Sequence, residues 1–379
     1  RATSDHAAWR WSSNWRVMSS KVITLLNPPV SATFTATLSE ISGRDVTVTL
    51  GTAGNATLGV DYTDPGTQIV IPAGSMSGST TITSNDDLLD EFNETLTLSM
   101  TAVDFATVGT ASQTVTIIDD DAAPTLTIAA DAASYSESAA SANFTLTLSE
   151  VSGRDVTVTL NTAGDATAGA DYVDPGTQIV IPAGQQGIAL PITLLSDDRD
   201  ENDEMLTVNL TLADFAGLGN PITATTLLLD DDPTPTVTLS FDDASIVENG
   251  GTTRLVATLS APSNLPVSID VALGGMAIGS GTDYTAGPQS LVIAPGDTEA
   301  QISITAINDG LFEQPNDDIV ATVGAITNAI WDNATATTEI IDDDVRTLTV
   351  TIAPGTVNEV DGLNAATATV TRNTRTTAQ

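Results

Sequence analysis

Three runs of aspartate, Asp119–Asp121, Asp230–Asp232 and Asp342–Asp344, each follow an apolar stretch. Carboxylates upstream of them recur at matching offsets, so that Asp61-Tyr62 falls onto Asp171-Tyr172. Such acceptor-only groups suit a hard cation, because Ca2+ takes about six to eight oxygens at about 2.3–2.6 Å from carboxylates and carbonyls in flexible loops. Without a counter-ion the charges repel one another, and a divalent ion offsets that repulsion. An isolated Asp-Asp-Asp is most simply a solvated linker. Recurrence at a strand end, with upstream carboxylates in step, favours metal. Paired carboxylates could also cleave glycosidic bonds across about 5–10 Å, but aromatic residues make up only 4% of the chain and leave little to line a sugar cleft.

Other chemistries fall away on composition. Cysteine is absent and His6 is the single histidine, which removes cysteine nucleophiles and thiolate zinc sites and makes the usual hydrolytic triads improbable. With 49 acidic and 11 basic residues, the formal charge of -38 repels phosphate backbones, so nucleic acid is not expected as a partner. An apolar share of 41% is too high for a disordered acidic chain, yet no run of about 18 apolar residues offers a membrane span. The sequence starts at Arg1 with no visible signal peptide and reads as a piece of something longer.

The elements that must position these carboxylates come from a repeat. Leu38–Leu50 (LSEISGRDVTVTL) returns as Leu148–Leu160 (LSEVSGRDVTVTL), and DPGTQIVIPAG at Asp64–Gly74 returns at Asp174–Gly184. Near-identity at a shift of 110 residues marks recent duplication. A diverged third copy follows, with Gly281-Thr282-Asp283-Tyr284 and Ile293-Ala294-Pro295-Gly296. The expected division is an atypical segment over 1–20 that holds Trp9, Trp11 and Trp15, then repeats over 21–121, 122–232 and 233–344, then a truncated fourth over 345–379. The first repeat has an atypical first strand, for which Lys21–Leu26 is the candidate. Within a copy, Val156, Val158 and Leu160 alternate with Thr157 and Thr159, the period of half-buried strands. In the second copy strands are expected near 125–129, 141–148, 155–161, 167–172, 177–181, 187–195, 204–213 and 222–229. Short strands between Gly, Pro, Asn and Asp predict an all-β chain of tandem immunoglobulin-like antiparallel β-sandwiches. Tyr62, Tyr172 and Tyr284 are expected as buried anchors, and Glu94 and Glu204 are expected to face solvent.

The ordered signature Ser136-Glu137, Leu148-Ser149, Gly169-Ala170-Asp171-Tyr172, Ile181-Pro182-Ala183-Gly184, Asp197-Asp198, Asp230-Asp231-Asp232 resembles the Calx-beta family of immunoglobulin-like calcium-binding modules. The resemblance covers roughly residues 21–379. It implies Ca2+ as cofactor and, in the second repeat, ligands Glu137, Asp171, Asp197, Asp198, Glu201, Asp230, Asp231 and Asp232. In the third it implies Glu248, Asp283, Asp309, Glu313, Asp342, Asp343 and Asp344, a weaker set because Asn308 stands where the family often has its first aspartate and Gly310 follows Asp309. In the first it implies Asp61, Asp86, Asp87, Glu91, Asp119, Asp120 and Asp121, with Asn27 in the place of Glu137. The fourth keeps only Glu359.

Function follows from the resemblance as an expectation: a non-enzymatic, extracellular or cell-surface array that forms an extended rod, its junctions stiffened by calcium. Its partners would be calcium and other proteins, surface components or copies of itself. Two alternatives stand beside it, a filament subunit that exchanges strands at incomplete repeats, and an accessory region of a secreted enzyme.

Overall fold

The computed structural model describes residues 31–109, 112–310, 312–313, 315–333, 335–363 and 366–372. Asn27, Lys21–Leu26 and the first twenty residues lie outside them. Among the described residues the structure is strand and loop, apart from one helical turn at Glu359–Asp361. They divide into two compact units whose boundary runs through the second repeat.

The first unit holds the first repeat and most of the second. In the first repeat, Ser31–Thr37 pairs antiparallel with Ser77–Thr83. A four-stranded sheet runs in the order Gln68–Ile71, Val46–Gly54, Glu94–Val103, Ser112–Ile117. Alternation decides what is buried. Val46, Val48, Ile69 and Ile71 form one apolar cluster, and Ala32, Tyr62, Ile82, Leu96 and Val115 form another, while the threonines between them face outward or stand half-buried. Each valine, leucine and isoleucine among them contributes about 1.5–3 kcal/mol when taken from water. The second repeat adds a sheet ordered Gly187–Thr193, Ser141–Leu148, Thr125–Ala130, Gly217–Leu218, and places Val156–Gly164 between Gln178–Ile181 and Glu204–Ala213.

The second unit holds the third repeat together with residues 134–139, 194–204 and 227–232 of the second. The third repeat has two five-stranded sheets. One runs Tyr284–Ala286, Glu299–Ala306, Thr252–Leu259, Thr236–Phe241, Ile330–Asn333, and the other Ser245–Val247, Thr335–Ile341, Asp317–Thr327, Val267–Gly275, Ser290–Ile293. A single core built around Val237, Leu255, Val267, Ile269, Ile304 and Ile319 lies between them.

All three repeats bulge at one place, with register shifts at Thr49/Leu50, Thr159/Leu160 and Ile269/Val271. Each bulged strand ends on a glycine that the fold requires. Gly54, Gly164 and Gly275 have φ of 132°, 118° and 110°, and a Cβ there would run into the carbonyl of Thr95, Met205 and Asp318 respectively.

One expected strand needs correction. The strand near 167–172 is a turn with one bridge, Ala168 to Tyr172. Gly169 at φ 90° and the Asp171 carboxylate, which accepts the Thr167 N–H at 2.5 Å, draw the chain out of the extended state. Conversely, Ser134–Ser136 and Gly217–Leu218 are strands that no expectation covered, being too short to show a period. Tyr62, Tyr172 and Tyr284 are buried, and Tyr172 donates its hydroxyl to Thr162 at 2.9 Å.

Candidate metal centre

The short strand missing from the sequence reading positions the first expected ligand, Glu137. Ser134–Ser136 pairs parallel with Leu227–Leu229, the strand end that leads into Asp230–Asp232, and the Glu137 N–H reaches the Leu229 carbonyl at 2.9 Å. Ser245–Val247 pairs likewise with Glu339–Ile341, and the Glu248 N–H reaches the Ile341 carbonyl at 3.0 Å. A glutamate is thereby set beside the Asp230–Asp232 and Asp342–Asp344 triads. It is then fixed by a third loop: Glu137 Oε1 accepts the Asp197 N–H, and Glu248 Oε1 the Asp309 N–H, both at 2.8 Å.

Two three-carboxylate groups result. One carboxylate oxygen from each of Glu137, Asp197 and Asp232 lies within 4.8 Å of the others, and Glu248, Asp309 and Asp344 repeat the arrangement. Asp232 Oδ2, Glu248 Oε2 and Asp344 Oδ2 are buried without a hydrogen-bond partner. Loss of solvent raises the Glu248 pKa, the Asp309 N–H opposes this, and the charges of Asp309, Asp342 and Asp344 reinforce it. Glu137 and Asp232 are raised too, again first by desolvation.

Alternation sorts the triads. Asp120, Asp231 and Asp343, the middle residues, are exposed, whereas their neighbours on both sides are half-buried. Asp231 accepts hydrogen bonds from the Ser136 and Ser138 hydroxyls, which hold its pKa below the usual range. Asp230 takes neither role: its N–H goes to Asp203 at 3.2 Å and its buried Oδ1 has no partner. Asp342 accepts the N–H groups of Glu313 and Asp344 at 2.9 and 3.0 Å.

The remaining expected ligands divide by role. Asp61, Asp171 and Asp283 each close their own loop, accepting the N–H of Thr57, Thr167 and Ile278 at 2.5 Å. Asp283 also acts with burial and with Asp317, Asp309 and Glu248 on Glu313, whose pKa is pushed up to about 7, burial leading and Asp317 next. Glu201 accepts a hydrogen bond from the Asn264 side chain. Asp198 is exposed and raises Asp232. In the first repeat, burial raises Glu91, followed by Asp87, Asp61, Asp119 and Asp121, and burial raises Asp121, followed by Asp119, Asp87, Asp120 and Asp86. These carboxylates therefore share one field.

Sequence reasoning placed Glu94 in solvent, and the structure places it in that field. It is half-buried, its Oε2 has no partner, and burial, then a hydrogen bond with the Asp61 carboxyl, pushes its pKa to about 7. Glu94 and Asp317 open the same strand in their repeats, two positions before buried Leu96 and Ile319. Counting back by twos from those apolar residues would have found both. Arg154 was also missed: its Nη2 lies 3.2 Å from Asp90 Oδ1 and 3.2 Å from Asp119 Oδ2, and its charge lowers the Asp119 pKa against the larger effect of burial.

The donor set fits a calcium ion. It consists of carboxylate oxygens on loops, several of them buried acceptors with no donor to meet them. The profile of the Calx-beta domain matches residues 31–121, 119–232 and 230–344. No curated protein matches the chain. Among solved structures, CBD12 from CALX1.2 is 18% identical, with 56% of this chain and 99% of that one covered and a TM-score of 0.27. The Apo-form Calx CBD1 domain is 24% identical, with 28% and 99% covered and a TM-score of 0.26.

Proposed function

Because the chain belongs to the Calx-beta domain family, with three tandem copies, we propose that its acidic loops bind calcium and that it serves as a non-enzymatic, extracellular or cell-surface spacer whose junctions calcium stiffens into a rod. The observation that carries this reading is the pair of three-carboxylate groups with buried, partnerless oxygens at Asp232, Glu248 and Asp344. Glu137, Asp197 and Asp232 would hold an ion in the second repeat, and Glu248, Asp309 and Asp344 in the third, with Asp283, Glu313 and Asp317 adding charge around it. The ion would supply two positive charges where burial and like charge now raise the pKa of Glu137, Asp232, Glu248 and Asp344. The first repeat would use Asp87, Asp119 and Asp121 with Glu91. Each triad runs directly into the next repeat, so an ion held there ties linker to loop.

Melting of the full chain in millimolar calcium and in chelator tests the binding. Saturation at a hundredfold excess over Kd should add about 2.7 kcal/mol, and equal melting temperatures in calcium, magnesium and chelator would sink the reading. Small-angle scattering tests the stiffening, which an unchanged profile on adding calcium would exclude. A second reading, strand exchange between copies, draws on Leu348, Val350, Ile352 and Val370, which stand exposed on the paired strands Leu348–Ala353 and Thr367–Arg372. Concentration-dependent sedimentation lost on Val350→Lys would support it.

A further inference from the structure

Two loops of one sequence, Ser42-Gly43-Arg44-Asp45 and Ser152-Gly153-Arg154-Asp155, meet different surroundings. Around the second, within the first compact unit, Ser152 is only 1% exposed. Its hydroxyl and the Gly153 N–H reach the Asp90 carbonyl at 3.4 and 3.0 Å. Arg154 spans Asp90 and Asp119, donates to the Glu91 carbonyl, and lies 4.7 Å from the Phe92 ring and 5.3 Å from the Phe215 ring. Those rings meet edge to face at 5.4 Å. A Cβ on Gly153 would strike the Glu91 side chain, so the fit itself calls for glycine. The arginine loop of the second repeat thus grips the Asp90-Glu91-Phe92 loop of the first through charge-assisted and cation–π contacts.

The first repeat has the same grip assembled and open. The Ser42 hydroxyl accepts the Arg44 N–H at 3.1 Å, as Ser152 does from Arg154 at 3.1 Å. Arg44 lies 5.3 Å from the Phe105 ring. Phe105 keeps the left-handed φ of 59° that Phe215 has at 61°, a costly conformation for a bulky residue. Phe105 is nevertheless 71% exposed, and a Cβ on Gly43 would meet nothing within 4 Å among the described residues. The third repeat differs. Leu265, whose N–H goes to Ser263 at 3.0 Å, replaces the arginine, and Asn328 at φ 58° replaces the phenylalanine. The loop it holds carries Asn202 in place of Phe92, and Asn264 bonds Glu201 and, at 2.9 Å, Arg199. The Arg154 and Phe215 grip thus holds an Asp-Glu-Phe loop, and the Asn264 grip an Asp-Glu-Asn loop.

We propose that Ser42, Arg44 and Phe105 form a docking surface for the Asp-Glu-Phe loop of a further Calx-beta repeat like the first, making a head-to-tail contact. The surface stands on these contacts and does not depend on calcium at the carboxylate groups. A protease site inserted between Ala122 and Ala123 lets the chain fold whole before it is cut, and Arg154→Glu then frees the first repeat with its Asp90–Phe92 loop uncovered. Arg44→Glu in that same chain prevents the freed repeat from binding itself. Added to intact wild-type chain and followed by sedimentation velocity, it is expected to bind with a Kd within about tenfold of that holding a cut chain with Arg154 together, since the two grips share their residues. Arg44→Glu in the intact chain should weaken binding at least about tenfold, while Arg254→Glu should not. Arg154→Gln serves if the glutamate disturbs the freed repeat's fold. Failure of the freed repeat to bind, or binding indifferent to Arg44→Glu, overturns the proposal.

Discussion

Replacing Glu313 by Gln should stabilise the third repeat in metal-free buffer and weaken it as a calcium site. Glu313 is half-buried in the company of Asp317, Asp283, Asp309 and Glu248, and its pKa stands at about 7 against an ordinary 4.5. A carboxyl whose folded pKa is raised binds its proton more tightly in the native state than in the unfolded chain. Ionising it therefore costs native stability. The cost is nil below about pH 4.5, grows as pH rises toward 7, and is complete above it. The gap corresponds to about 3 kcal/mol, and solvent screening of a half-buried group brings this to about 1–2 kcal/mol. For a repeat of this size that is a gain of about 5–10 °C in melting temperature at pH 8. Calorimetry of the full chain, wild type against Glu313→Gln, should show this gain at pH 8 and none at pH 4. Added calcium should reverse the order, because the wild type then keeps a charge the ion uses. Equal melting at pH 8 without metal, or a gain that persists at pH 4, would refute the reasoning.

Asp232→Asn should reduce calcium affinity of the second repeat by more than Asp231→Asn, because Asp232 enters the three-carboxylate group and Asp231 is engaged by two serine hydroxyls; titration calorimetry of the two variants ranks them. Gly164→Ala should cost about 2–4 kcal/mol in chemical denaturation, since its Cβ would meet the Met205 carbonyl at a φ no alanine favours. Arg154→Ala should speed hydrogen exchange at residues 152–154, whose Gly153 N–H is bound to the Asp90 carbonyl, and leave the apolar strands of the second repeat protected.

The sandwich strands were legible because buried valines and leucines alternate with threonine or asparagine in strands such as Val156–Gly164 and Glu204–Ala213. The 167–172 segment misled because Asp171 and Tyr172 end it in an extended-looking pattern, while a side-chain hydrogen bond and Gly169 turn it back. The carboxylates were visible as types and offsets. Their division of labour was not, because it depends on three-residue strands and on backbone N–H groups that fix Glu137 and Glu248. Glu94 was misjudged from its charge, although the parity of its strand pointed inward. The Arg154 grip joins Asp119, 35 residues away, and Glu91, 63 residues away, and left no periodic trace in the sequence.

The outward turn of Asp120, Asp231 and Asp343 gives the triads a tolerance that a single aspartate would lack. A strand that slips by one residue against its neighbour exchanges the two faces of every side chain. With Asp-Asp-Asp at the strand end, the slipped register still turns an aspartate toward the glutamate beside it, now the middle one. Duplication that adds or removes one residue upstream would spoil the apolar pattern of the strand but still leave a carboxylate turned inward. Three identical letters thus act as an error-absorbing code at the point where copied repeats are joined.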